Sequence, residues 1–302
     1  MDSLPIPIEH RILGRSGMKV SAVGFGGSES GRGGTDWRSL AKLLNSAIDS
    51  GLNLIDTAEC YGDGEEQLGR ALGARRKEVI LMTKCGHAES GWGDHFAAPK
   101  ILTETIDRSL KLLRTDYVDV MQFHSPDLAA LANPRVIDVL TRARDAGKTR
   151  FIGLSADGES ALAAVGVGIF DTLQTSLSIA DQEAIDLTIS KAHARGMGII
   201  AKRSLANAGW RADNRDAYAA PYRQRLRQLD YPFLARKDVA ATALRFTLSV
   251  PGVSAALIGT TRLGRFEENA HAASLGPLSS DDYEAIRVRW REVAPATWTG
   301  QR

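Results

Sequence analysis

The sequence predicts an α/β fold, a (β/α)8 TIM barrel with an N-terminal β-hairpin, and three observations carry that expectation. Eight apolar runs of strand length, AVGFG, LNLIDT, EVILMT, YVDVMQF, RFIGLS, FDTLQT, GMGIIAK and SAALIG, recur along the 302 residues. Longer segments with helical spacing separate them, which suits parallel strands because each parallel pair needs a crossover connection. No repeat, low-complexity stretch or Pro/Gly/Ser-rich linker interrupts the alternation, so residues 1–302 read as a single domain. Eight units in this length give roughly 38 residues each, ordinary for a closed barrel with a few enlarged loops.

Taken in order, EHRILG and KVSAVGFG flank the turn residues Arg15, Ser16, Gly17 and Met18 as the arms of a hairpin, and AVGFG counts as the first barrel strand. The helical stretch WRSLAKLLNSAIDSG leads to LNLIDT, and LTETIDRSLKLLR, PRVIDVLTRARDAGK, EAIDLTISKAHARG and DVAATALRFTLSV follow between later strands. Gly51, Gly147 and Gly196 stand just past the periodic residues, where a left-handed C-cap ends a helix. Two connections are long, Gly86 to Pro99 and Ala206 to about Lys237. The second holds Trp210, Tyr218, Tyr222, Tyr231 and Phe233 and reads as an aromatic cover over the barrel mouth, with a packed connector as the alternative.

Composition narrows the partners. With 43% hydrophobic and 25% charged residues the chain has ample material for a core, which excludes disorder. Its 38 basic and 36 acidic residues leave a net charge of +2, too balanced for a nucleic-acid or acidic-membrane surface. No apolar run approaches the ~20 residues that span a bilayer, and MDSLPIPIEHR has no leader pattern, so a cytoplasmic protein is expected. Cys60 and Cys85 have neither the spacing of a zinc site nor the number of a disulfide framework, so no metal is expected and a reducing compartment fits.

In such a barrel the reactive side chains project from the C-terminal ends of the strands. There stand Asp56, Lys84, His124, Ser155 and Gln174, with Tyr61 five residues beyond Asp56. Singly, each has a structural reading: Asp56 a turn cap, Lys84 a snorkelling cation, His124 a core histidine, Tyr61 loop packing. Four such groups on one rim are better explained together. A Tyr phenol becomes an acid near neutral pH only when a cation lowers its pKa from ~10; Lys84 would supply the cation, Asp56 would hold it charged, and His124 would direct a substrate oxygen.

These residues resemble the aldo-keto reductases. The resemblance covers nearly the whole chain; its most specific element is NLIDTAECYGDGEEQLGRAL, and Lys84 in LMTKCG and His124 in DVMQFHSPD complete the catalytic tetrad. It implies reduction of aldehydes or ketones, with Tyr61 as general acid, on a barrel that binds extended NADPH without a Rossmann domain. In keeping with that, Glu29 stands where the last glycine of G-x-G-x-x-G would be. It further implies cofactor contacts from Gly26 and Gly27, from Asp56, from Ser155 and Gln174 at the carboxamide, and from Lys202, Arg203, Ser204 and Leu205. Gly259, Thr260, Arg265, Glu268 and Asn269 would serve the adenosine end, although Arg265 and Glu268 have the spacing of an i, i+3 pair.

Three departures stand out. Ala156 occupies the position of a carboxamide-binding Asn, Gly259 that of a lysine for the 2′-phosphate, and Lys202 that of an aromatic stacked on the nicotinamide. An unpaired ammonium at Lys202 would disfavour the cationic NADP⁺ ring relative to NADPH. Arg265 and Arg262 can bond a 2′-phosphate, so NADPH is expected with NADH as a second cofactor. Trp92, Phe96 and Trp210, with His124, are expected to line the substrate pocket and to favour an apolar or aromatic carbonyl. Alternatives are an NAD(P)-dependent dehydrogenase of a sugar or other alcohol, a non-catalytic nucleotide-sensing or channel-associated subunit, and a Schiff-base aldolase using Lys84. The partner is a small carbonyl or alcohol, and the protein is expected to be a monomer or small homo-oligomer.

Overall fold

Period-two alternation on short strands sets both the core and the site. In the computed structural model, which describes residues 8–32, 35–87 and 95–301, the strands are β1 (His10–Ile12), β2 (Lys19–Ser21), β3 (Val23–Gly26), β4 (Leu54–Asp56), β5 (Ile80–Cys85), β6 (Val118–His124), β7 (Thr149–Ser155), β8 (Thr172–Ser176), β9 (Gly198–Lys202) and β10 (Val253–Ile258). β1 and β2 pair antiparallel; among the described residues the other eight close into a parallel barrel in chain order, β10 returning to β3. The sequence's second hairpin arm is thus two strands, KVS in the hairpin and VGFG in the barrel, separated at Ala22.

On β4, β5, β6 and β9 the inward residues are apolar near the N-terminal end and polar near the C-terminal end. Leu54 precedes Asp56, Met82 precedes Lys84, Val120 precedes Gln122 and His124, and Ile200 precedes Lys202. The apolar set packs with Ala255 and Leu257 inside the barrel, and the hairpin's Leu13, Met18 and Val20 close that layer from below. Contact there is close: a Cβ on Gly14, whose φ is +49°, would lie 2.2 Å from the Gly198 amide nitrogen.

Outside the barrel, helices such as Trp37–Asp49, Pro99–Leu112 and Pro134–Asp145 lay apolar faces on the strands. Asp36 caps the first of these by accepting from the amides of Arg38 (2.9 Å) and Ser39 (3.3 Å). Gly147 and Gly196 adopt φ of +73° and +70° behind their helices, as their positions predict. The segment EAIDLTISKAHARG is less regular than expected, with a π-turn at Ile185–Ile189 leading into Ser190–Ala194. No helix among the described residues is long and apolar enough to cross a membrane.

The long connection after β9 corrects the expected aromatic cover. Tyr222 and Tyr231 are buried in a second core with Leu226, Phe246, Ile286 and Trp290, and Trp210 and Phe233 pack against it. These four rings serve the connector's own packing; of the five expected at the mouth, Tyr218 lines the cavity, together with polar residues of the same connection.

Candidate active site

A cavity of about 930 Å³ opens over the C-terminal ends of the strands. Asp56, Tyr61, His124, Ser155, Gln174 and Lys202 to Leu205 line it, with Gly26, Gly27 and Gly259 on the wall formed after β3 and β10.

Asp56 and Lys84 end adjacent inward positions of β4 and β5. Lys84 Nζ donates to Asp56 Oδ2 at 2.6 Å and to the Thr57 carbonyl at 2.8 Å, and its side chain is 0% exposed. The amides of Gln122 (3.2 Å) and Gln174 (2.9 Å) donate to Asp56 Oδ1. Burial opposes the Lys84 ammonium, but Asp56 and Tyr61 outweigh it and hold the amine above its usual value. The ammonium lies 5.2 Å from the centroid of the Tyr61 ring.

For Tyr61 the order of effects differs from the sequence expectation. Burial pushes the phenol up and Lys84 pulls it down; the net direction is upward. His124 stands edge-on to Tyr61, their ring centroids 6.0 Å apart. Burial first, then the charge of Lys84, holds the His124 imidazole well below its usual range, so the ring is neutral at pH 7. Cys60 Sγ lies 3.4 Å from His124 Nδ1, and the His87 ring is 5.1 Å from the His124 ring.

Across the cavity, Lys202 does not carry an unpaired charge. Its Nζ meets Asp157 Oδ2 at 3.0 Å and donates to Ser155 Oγ at 3.4 Å. Ser155 Oγ donates to Gln174 Oε1 at 3.0 Å, which joins this group to Asp56 through the Gln174 amide. Asp157 also accepts from Thr175 Oγ1 and from the Ser176 amide and hydroxyl, with Arg203 at 3.8 Å. Burial lowers Lys202 more than Asp157 raises it, and neighbouring Arg203 lowers it further, so the amine sits below its usual value.

Other expected residues lie off the cavity. Phe96 is buried behind its wall, its ring centroid 5.4 Å from that of Phe123, and Trp210 sits on the second core. Trp92 lies outside the described residues. Instead of an apolar mouth, Asn207, Arg211, Asp213, Asn214, Asp216 and Tyr218 face the opening. Thr260 is buried and accepts from the Arg262 amide at 3.1 Å. Arg265 pairs with Glu268 at 2.5 Å, and Asn269 donates to the Arg265 carbonyl at 2.9 Å, all in the first turns of the helix that follows Gly259.

Sequence reasoning missed Gln122 and Asp157. Both had a signal, since Gln122 shares the inward parity of His124 on β6, and Asp157 continues the parity of Ser155 beyond β7.

Residues 22–290 match the model of the Aldo/keto reductase family. L-galactose dehydrogenase of Arabidopsis thaliana is 30% identical over 315 residues, covering 96% of this chain and 97% of that protein. 6-dehydroglucose reductase of Novosphingobium aromaticivorans is 30% identical over 314 residues, covering 96% and 94%. The holo form of an aldo-keto reductase from Bacillus halodurans superposes with a TM-score of 0.79 at 22% identity, covering 93% of this chain and 96% of that one, a likeness of fold.

Proposed function

Because the chain belongs to the aldo/keto reductase family and is an oxidoreductase, we propose that it interconverts a carbonyl and an alcohol on a polyhydroxylated, sugar-like substrate, with Asp56, Tyr61, Lys84 and His124 as its catalytic residues. The observation that carries this reading is the buried Lys84–Asp56 pair, 2.6 Å long, whose ammonium lies 5.2 Å from the centroid of the Tyr61 ring, with Asp56 and Tyr61 lining the cavity.

Tyr61, raised by burial, stays protonated at neutral pH and holds a proton for the substrate oxygen at its hydroxyl. Lys84 stabilises the phenolate left after transfer, and Asp56 keeps Lys84 charged and in place. A neutral His124 offers a hydrogen bond to the same oxygen without adding a competing cation. A bound nicotinamide dinucleotide would supply the chemistry of hydride exchange, its reduced form (NADPH or NADH) giving a hydride to a carbonyl carbon and its oxidised form accepting one from an alcohol. The cavity wall fits a dinucleotide because Gly26, Gly27 and Gly259 line it with backbone alone, and a Cβ on Gly26 would stand 3.7 Å from the Gly259 amide nitrogen. Arg265 and Arg262 are the proposed 2′-phosphate contacts, which favours NADPH.

Two features support a sugar-like substrate. The names of the two relatives refer to sugars, and the side chains at the mouth, Asn207, Asn214, Asp213 and Tyr218 among them, are hydrogen-bonding groups. The test is a panel of sugars, aldehydes and ketones with both cofactors, run beside Tyr61→Phe. The variant is expected to lose reduction while binding the dinucleotide as tightly as before; comparable turnover would remove Tyr61 from the mechanism.

A further inference from the structure

The turn after β4 closes with the Tyr61 amide donating to the Ala58 carbonyl at 3.1 Å, and this brings two consecutive side chains, Cys60 and Tyr61, against one imidazole. Tyr61 meets the His124 ring edge-on, and Cys60 Sγ lies 3.4 Å from Nδ1. A neutral imidazole has one N–H and one lone pair, and the group beside one nitrogen decides which of them the other nitrogen presents. A thiol is a weak donor and sulfur a weaker acceptor, whereas an imidazole lone pair accepts well, so the better arrangement is S–H toward Nδ1. The opposite tautomer would present a lone pair at Nε2 to a carbonyl oxygen that also carries lone pairs.

We infer that Cys60 is a positioning residue for the reaction: its thiol donates to Nδ1 of His124 and fixes the tautomer in which Nε2 carries the proton offered to the substrate oxygen. This rests on the proposed role of His124 at that oxygen. It requires a donor at this position rather than a nucleophile.

The experiment reads the His124 ring by ¹⁵N NMR in the full chain at pH 7, without substrate or cofactor, for wild type, Cys60→Val and Cys60→Ser. Wild type is expected to carry its proton on Nε2. Cys60→Val, which removes the donor at similar volume, is expected to show a mixture of tautomers and to lower kcat about tenfold, the scale of one lost hydrogen bond, with dinucleotide affinity unchanged. Cys60→Ser restores a donor and is expected to recover both the tautomer and most of the turnover. A wild-type ring protonated on Nδ1 would overturn the proposal, as would an unchanged tautomer in Cys60→Val or a Ser variant as slow as the Val variant. Should Cys60→Val fail to fold, the wild-type and Ser spectra decide. The spectra need no turnover, so absence of carbonyl reduction in wild type would count against the proposed function and leave the tautomer assignment standing on its own.

Discussion

Lys84 on β5 and Lys202 on β9 each stand beside an aspartate, yet one amine is held above its usual value and the other below it. Burial alone does not explain the difference, because the raised lysine is the more buried, at 0% side-chain exposure against 14%. The aspartates differ in their other company. Asp56 receives neutral amides from Gln122 and Gln174, so its charge is left to Lys84. Asp157 is shared with Thr175, with Ser176 and with Arg203, whose guanidinium competes for the same carboxylate and repels Lys202. The direction in which a buried lysine's basicity moves therefore depends on how exclusively its carboxylate partner belongs to it.

The sharpest way to break this comparison is Lys84→Met. We expect turnover to fall by about 10³-fold or more, and the stranded Asp56 charge to cost about 3–5 kcal/mol of stability, read by steady-state kinetics and urea unfolding. An equal loss of turnover in Lys202→Met would erase the distinction between the two pairs.

Asp157→Asn should leave Lys202 and Arg203 without their common anion. A destabilisation of about 2–3 kcal/mol at pH 7 is expected, smaller because these side chains are partly solvated. The sign with pH follows from the lowered amine: the folded state binds fewer protons than the unfolded one below pH ~10.5, so stability rises with pH. The variant's deficit should accordingly shrink between pH 7 and pH 9, and a deficit that grows would contradict the repulsion between Lys202 and Arg203.

A third buried ionisable group sharpens the rule. Glu59 accepts from the amides of Gly86 (2.6 Å) and His87 (2.8 Å), with Arg108 only at 3.5 Å, and burial pushes its carboxyl up to about 7. Ionisation is disfavoured in the fold, so stability should fall as pH rises from the unfolded pKa of ~4.3 through about 7, by at most about 4 kcal/mol. Glu59→Gln keeps an acceptor for both amides and should flatten that slope in unfolding titrations from pH 5 to 8, apart from the share due to Glu65, which is also raised to about 7. A slope unchanged in the variant would place the pH dependence elsewhere.

The smallest expected effect belongs to Lys202→Met. With Asp157 beside the ammonium, the pair is nearly neutral at a distance, and the ratio of NADP⁺ to NADPH dissociation constants should change less than about threefold. A selective tenfold gain in NADP⁺ affinity would mean that Asp157 fails to screen the charge, as the sequence departure at Lys202 suggests on its own.

What the sequence discloses follows a physical line. The barrel strands are legible because short apolar runs of strand length alternate with helical segments, and Asp56, Lys84 and His124 are legible because each is an ionisable residue at the end of such a run. Asp157 was hidden because its importance arises across the edge between β7 and β8, from hydroxyls and cations distant in the chain. The aromatics after β9 misled for another reason. Composition shows that Trp210, Tyr222 and Tyr231 will be covered, but cannot show whether a ring covers the cavity or fills the connector's own core.

The hairpin that floors the barrel has a consequence for the order of assembly. Arg11 donates to the carbonyls of Leu248 (3.0 Å) and Val253 (3.1 Å), Ser254 Oγ donates to the Ile12 carbonyl at 3.1 Å, and the Arg15 amide donates to the Gly196 carbonyl at 2.6 Å. The hairpin that precedes the barrel in the chain is thus seated by the last two barrel strands and the helix ends beside them. During synthesis Leu13, Met18 and Val20 must wait, exposed or loosely collapsed, until β9 and β10 have left the ribosome. The floor is a late closure that couples the hairpin to β9 and β10, and the nascent barrel remains open at its base until those strands have been made.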